Sequence, residues 1–207
     1  VGGSDAVGGY LYALNGSTGG VKWSFTAADW IQSTPAVNDG VGVVYVGSWD
    51  TNVYAVWCVN GSMLWSFTTG DVVRSSPMAW PGGGGGSGSG FGSLFVGSDD
   101  GNMYGLDGAT GVMTWSRTLC GSAVQGSASL LSADSALIVN CGTKLYKLSL
   151  LTGSVVWSWS STPTASVISN QFFAIGANSI VYFTTTDANL YGVNGSSKAE
   201  LWKYSMG

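Results

Sequence analysis

The chain contains no histidine, and its only glutamate is Glu200. Without histidine, Ser-His-Asp and Cys-His catalysis are excluded, as is the commonest zinc ligand. Charged residues make up 9% of the chain, against about 25% in ordinary soluble domains, so its surface is largely neutral. Seven Lys and Arg against eleven Asp and Glu leave a net charge of −4 with no basic cluster. Nucleic acid and anionic membrane are therefore poor partners. No apolar run approaches the roughly 18 residues of a membrane-spanning helix. No basic-then-apolar leader precedes Val1, an absence that is compatible with secretion of a processed chain.

What is abundant is glycine (33 residues), serine and threonine (46 together), and aromatics at 13%, within a hydrophobic content of 45%. That content is ample for a packed core and argues against disorder. At 207 residues the prior is one domain with one sizeable core.

The aromatics repeat. Tyr12 and Trp23, Tyr54 and Trp65, Tyr104 and Trp115, Tyr146 and Trp157, and Tyr191 and Trp202 are each eleven residues apart. Successive tryptophans are separated by 42, 50, 42 and 45 residues, an internal period with one insertion. The repeats run over about 1–31, 32–73, 74–123, 124–168 and 169–207, with a Gly-rich loop insertion at 82–92. That insertion lacks the Gly-Lys-Ser ending of a phosphate loop and reads as a flexible loop extension. Four residues before each Trp stands Gly19, Gly61, Gly111 or Gly153, and in the last copy Lys198. Each Tyr-to-Trp segment reads as strand, turn, strand.

From the second copy onward, two more β-rich runs precede the hairpin, for example "STPAV" and "VVYVGS". Four strands per period follow. Because both sides of the strands are apolar, each small sheet must be covered on both faces by its neighbours. Radial stacking of such sheets gives an all-β fold, a β-propeller of four-stranded antiparallel blades. A parallel β-solenoid usually repeats at a shorter period and lacks a hairpin keyed by Tyr and Trp. The chain holds four complete blades plus a partial first blade, whose sequence starts at the end of its second strand. An unfinished blade exposes backbone groups, so it is either part of a larger ring or is completed by another strand.

"STPAVNDGVGVVYVGSWDTNVYAV" and "LFVGSDDGNMYGLDGATGVMTWS" resemble the PQQ-like repeat named after pyrroloquinoline-quinone dehydrogenases. The resemblance implies a propeller whose blades interlock through the repeated tryptophans, on a repeat that builds quinone enzymes, an outer-membrane assembly scaffold and many secreted proteins. In the enzymes it implies a quinone, a calcium ion, a carboxylate base and a pair of adjacent cysteines. Cys58, Cys120 and Cys141 contain no adjacent pair, and Asp5, Asp50, Asp99, Asp100 and Asp187 fall in turns, where Asp ordinarily bonds its own backbone. No cofactor is expected, although "DDGN" carries oxygen ligands of the kind calcium takes.

Other features weigh toward an extracellular or cell-surface setting. Topology puts Cys120 and Cys141 on one face, where a disulfide or two free buried thiols would both fit, and Cys58 reads as a small core residue. Three sequons, at Asn15, Asn60 and Asn194, lie in hairpin turns and can accept covalent glycans, although Asn-Gly is also good hairpin chemistry. The repeat Tyr and Trp read as packing between blades. The unmatched Trp30, Trp49 and Trp80 are the better platform for sugars. The expected function is a non-catalytic structural or interaction module, partnered by protein and by further copies of itself. The alternatives are a quinoprotein dehydrogenase fragment and a glycan-binding module.

Overall fold

The computed structural model describes residues 2–5, 8–82, 90–160 and 173–206. Most of the Gly-rich insertion, residues 83–89, lies outside the described residues, as do 161–172.

Five antiparallel sheets follow one another along the chain. The first has three strands, β1 (Gly2–Asp5), β2 (Gly8–Leu14) and β3 (Val21–Ala27). The second is β4 (Ala36–Asn38), β5 (Val43–Gly47), β6 (Asn52–Trp57) and β7 (Met63–Thr68), and the third is β8 (Met78–Trp80), β9 (Ser93–Gly97), β10 (Asn102–Asp107) and β11 (Met113–Thr118). The fourth is β12 (Ser129–Leu131), β13 (Ala136–Cys141), β14 (Lys144–Ser149) and β15 (Val155–Ser160), and the fifth is β16 (Ala174–Ile175), β17 (Ile180–Thr185), β18 (Asn189–Asn194) and β19 (Glu200–Ser205). Within every sheet the strands pair in chain order. These are propeller blades, four of them with four strands and the first with three. The short innermost strands β4 and β8 touch each other, as do β12 and β16. One 3₁₀ turn, Ser132–Asp134, is the single helical element among the described residues, and none of these residues forms a helix long and apolar enough to cross a membrane.

The second strand of each central blade is buried on both faces: every residue of Val43–Gly47, Ser93–Gly97 and Ala136–Cys141 is buried. Alternation is lost because each face packs on a different neighbour. Four apolar layers accordingly lie between successive blades. Leu11, Ile31, Val44 and Val56 join the first two, and Tyr45, Trp65, Leu94 and Leu106 join the second and third. Phe95, Trp115, Leu137 and Leu148 join the third and fourth, and Leu131, Trp159, Val181 and Tyr191 join the fourth and fifth. Close to the inner strands the layers are pinned by hydroxyls, with Thr34 N donating to Ser76 Oγ (2.9 Å) and Ser76 N to Ser127 Oγ (3.0 Å).

The eleven-residue spacing has a backbone cause. The pairing of third and fourth strands slips by one residue at the same place in all five blades: Ala13/Leu14, Ala55/Val56, Gly105/Leu106, Lys147/Leu148 and Gly192/Val193. Such a bulge bends the strand and re-aims the side chain beside it, here the repeat Trp. Directly opposite each Trp stands Ala13, Ala55, Gly105, Lys147 or Gly192. At Gly105 and Gly192 a Cβ would come within 2.4 Å of the indole, so the position is small for steric reasons. Lys147 is the exception, and its buried ammonium pairs with Asp134.

Candidate functional site

The outer turns form a joint that recurs between blades. Trp23 Nε1 donates to the Cys58 carbonyl (2.8 Å), Trp65 Nε1 to Gly108 (3.0 Å), Trp115 Nε1 to Leu150 (2.9 Å) and Trp157 Nε1 to Gly195 (3.1 Å). Each acceptor lies in the hairpin turn of the next blade. In that turn Gly61, Gly111 and Gly153 hold φ of +75°, +71° and +63°, and a Cβ on them would lie 2.7, 2.7 and 2.3 Å from the ring of Trp23, Trp65 and Trp115. Glycine therefore meets two demands at once, a left-handed backbone and a flat face for the indole. Lys198 keeps the same backbone at φ +67°.

The two ends of the array differ from its middle. In the first blade Gly19 has φ +70°, yet a Cβ on it or on Gly16 would meet nothing within 4 Å. In the fifth blade Trp202 is 38% exposed, whereas Trp65 and Trp115 are each 8% exposed. One end thus displays the acceptor turn and the other the indole. The β1–β2 ladder ends with Gly2 opposite Leu11. Beyond it lies an apolar hollow lined by Ala13, Trp23, Pro35, Val37 and Cys58.

On the opposite face of the propeller, the connections between second and third strands carry the acidic turns. Asp50 Oδ2 accepts from Tyr54 (2.8 Å) and from Ala28 N of the preceding connection (2.9 Å). Asp100 Oδ2 does the same with Tyr104 (2.5 Å) and Gly70 N (2.8 Å), while its Oδ1 accepts from Asn102 N (2.9 Å). Burial disfavours the Asp100 carboxylate, but these hydrogen bonds outweigh it and hold its pKa below the usual range. Tyr54 and Tyr104 are pushed up to about 12, first by burial and then by the carboxylate each one faces. Asp99, next to Asp100, turns elsewhere and pairs with Arg74. Asp50 and Asp100 thus bond their own turns and also tie one blade to the next, whereas Asp5 closes strand β1.

On this same face the structure joins Cys120 and Cys141 in a disulfide, Cα–Cα 6.1 Å. Cys58 carries a free thiol, half-buried, whose pKa is raised by burial and then by Asp39. Trp30 and Trp49 come together with ring centroids 5.1 Å apart. Trp80 ends strand β8 at the other side of the propeller and packs into the layer between blades three and four. The three unmatched tryptophans therefore do not form one platform.

The sequons occupy exposed hairpin turns, but in two different registers. Asn15 Oδ1 accepts from Ser17 N and Thr18 N, and Asn194 Oδ1 from Ser196 N and Ser197 N, as Asp107 Oδ1 does from Ala109 N and Thr110 N. Asn60 lies further along its turn, and its Oδ1 accepts from Ser62.

A model of the PQQ-like repeat family described as outer membrane protein assembly factor BamB matches residues 4–80 and 50–207. The chain belongs to this repeat family. Solved structures of the same fold include BamB from Moraxella catarrhalis (TM-score 0.71, 16% identity), a europium-containing methanol dehydrogenase (0.76, 12%) and the computationally designed Ika8 protein (0.72, 14%). The alignments cover 98%, 96% and 98% of this chain but 60%, 48% and 60% of theirs. The chain thus spans three fifths of the BamB structure. No curated protein sequence matches it. At these identities the likeness is one of fold, and the repeat family includes members of different chemistry.

The disulfide joins cysteines 21 residues apart rather than adjacent ones. The Asp100 oxygens are engaged by Tyr104 and backbone amides, and the described residues contain no cluster of three acidic, Cys or His side chains able to hold a metal.

Proposed function

We propose that the chain is a non-catalytic interaction propeller that joins further copies of itself end to end, through the same joint that holds its own blades together. One observation carries this reading. The Gly16–Gly19 turn of the first blade and Trp202 of the fifth are complementary halves of a contact made four times within the chain. Trp202 of one copy would donate to the Gly16 carbonyl of the next and lay its ring on Gly19. A head-to-tail contact of this kind either closes a ring or runs on as a polymer.

An extracellular or cell-surface setting fits the Cys120–Cys141 disulfide, the low charge and the three sequons in exposed turns. A neighbour titled as an assembly factor is consistent with partnering other proteins. Light scattering coupled to size exclusion tests the proposal on the 207-residue chain. Oligomers that dissociate on dilution, and that Trp202→Ala or Gly19→Trp reduces to monomers, are expected. A monomer at every concentration overturns the end-to-end reading and leaves the joint to further blades of one longer polypeptide. Dye reduction on adding pyrroloquinoline quinone and calcium would overturn the non-catalytic reading in favour of a dehydrogenase.

A further inference from the structure

Five side chains from three successive blades line up along one rim, away from the end joints. Trp30 comes from the connection leaving the first blade, Trp49 from a turn of the second, Arg74 from the connection leaving the second, Asp99 from a turn of the third, and Gln125 from the connection leaving the third. The Trp30 and Trp49 rings are tilted by 36° at 5.1 Å, the Arg74 guanidinium sits 4.5 Å from the Trp49 centroid, Arg74 pairs with Asp99, and Gln125 Nε2 lies 3.4 Å from Asp99 Oδ2. The backbone beneath is fixed: Trp49 N donates to the Trp30 carbonyl (2.8 Å) and Asp99 N to the Val72 carbonyl (2.9 Å). This rim is preorganised.

Two polar atoms in it have no hydrogen-bond partner although they are buried, Trp49 Nε1 and Asp99 Oδ1. The Asp99 side chain is only 10% exposed. Buried donors and acceptors are nearly always satisfied, and each exception calls for an explanation, an internal water, an ion or a bound group among them. Meanwhile Trp30, packed beside Trp49, is 46% exposed.

The chemistry of the row narrows the ligand. Arg74 is neutralised by Asp99 and covers one face of Trp49, so the row carries no surplus cation for a phosphate. It is also not an open aromatic cage for a quaternary ammonium, which the guanidinium would repel. A flat apolar face next to an unsatisfied carboxylate oxygen, an unsatisfied indole N–H and a carboxamide instead suits a ligand with a C–H face edged by hydroxyls. That is a pyranose ring. We propose that the rim from Trp30 to Gln125 binds a neutral saccharide, its C–H face on Trp30 and its hydroxyls along the polar edge formed by Arg74, Asp99 and Gln125. This site works independently of the end-to-end joint.

Calorimetric titration of the intact chain with maltohexaose, cellohexaose and chitohexaose tests it. At least one of the three is expected to bind. Trp30→Ala should weaken that binding by about tenfold or more, the loss expected of an aromatic contact with its apolar area, while Trp30→Phe keeps it within a few-fold. Asp99→Ala should abolish it, and Trp80→Phe, on the other side of the propeller, should leave it unchanged. Because Trp30 is largely exposed, the Trp30 variants keep the test valid even where Asp99→Ala misfolds. Failure of all three sugars to bind, or binding indifferent to Trp30→Ala, overturns the proposal. Loss of oligomers in the scattering experiment bears on neither result.

Discussion

Gly111 and Gly19 have nearly the same left-handed backbone, φ +71° and +70°, but a Cβ on Gly111 would sit 2.7 Å from the Trp65 ring while one on Gly19 meets nothing. Alanine at either position costs about 1 kcal/mol for the left-handed conformation. At Gly111 a packing clash of roughly 1–3 kcal/mol adds to this. Urea unfolding should therefore separate Gly111→Ala from Gly19→Ala by at least about 1 kcal/mol, and equal effects would remove the indole contact from the account. At this scale the sequence is informative where a residue serves local geometry. The Tyr, Trp and Gly columns are visible because their spacing is fixed by the hairpin and its bulge. The small residue facing each Trp is equally regular, yet Lys147 in the fourth copy hides the column, since its long chain escapes the indole to reach Asp134. Asp99 and Asp100 look alike in sequence. They diverge because the Arg74 that captures Asp99 comes from a connection leaving another blade.

Between elements, the Asp50 and Asp100 carboxylates tie their turns to the preceding connections by accepting from Ala28 N and Gly70 N, and the effect of such a tie depends on pH. Because hydrogen bonding depresses the Asp100 pKa in the folded state, its contribution to stability is present above the ordinary carboxylate value of about 4 and is lost as pH falls through the folded value. Tyr104 is raised from its ordinary value of 10.0 to about 12. Stability should accordingly fall as pH rises from about 10 toward 12. Tyr104→Phe is expected to lose less stability than wild type at both ends, its Asp100-linked acid loss being smaller and complete at a higher pH and its alkaline loss reduced, as read from urea midpoints across the pH range. The Cys120–Cys141 bond constrains a 21-residue separation, for which the chain-entropy model gives about 3 kcal/mol. Reducing it, or replacing both cysteines by serine, should lower stability by about that amount. That these two residues share a face was legible from strand order alone. That they are bonded rather than free required their distance.

For the molecule as a whole, the apolar layers among the described residues lie between successive blades, so stability is the sum of blade and joint terms. Strand β19 is exposed along its length. Hydrogen exchange on the dilute chain should show strongest protection in β5, β9 and β13, weakest in β2 and β19, with β2 and β19 gaining protection at concentrations where copies associate. Uniform protection would indicate a single cooperative unit instead. The fold was legible from the sequence to the level of five repeats and four strands per repeat, because period and apolar pattern are local properties. The Trp30–Gln125 rim was not legible, since its five residues come together only when blades stack.

Because all four joints are built alike, a tryptophan against the next turn, no residue in the chain records how many blades there ought to be. Inserting or deleting one whole repeat within this array leaves the tryptophan joints chemically alike, whereas the Cys120–Cys141 bond and the Arg74–Asp99 pair hold only while their own blades stay neighbours. Recombination between repeats would yield foldable products differing by one tile, and the circumference of any closed ring would be decided by the angle at which one blade leans on the next.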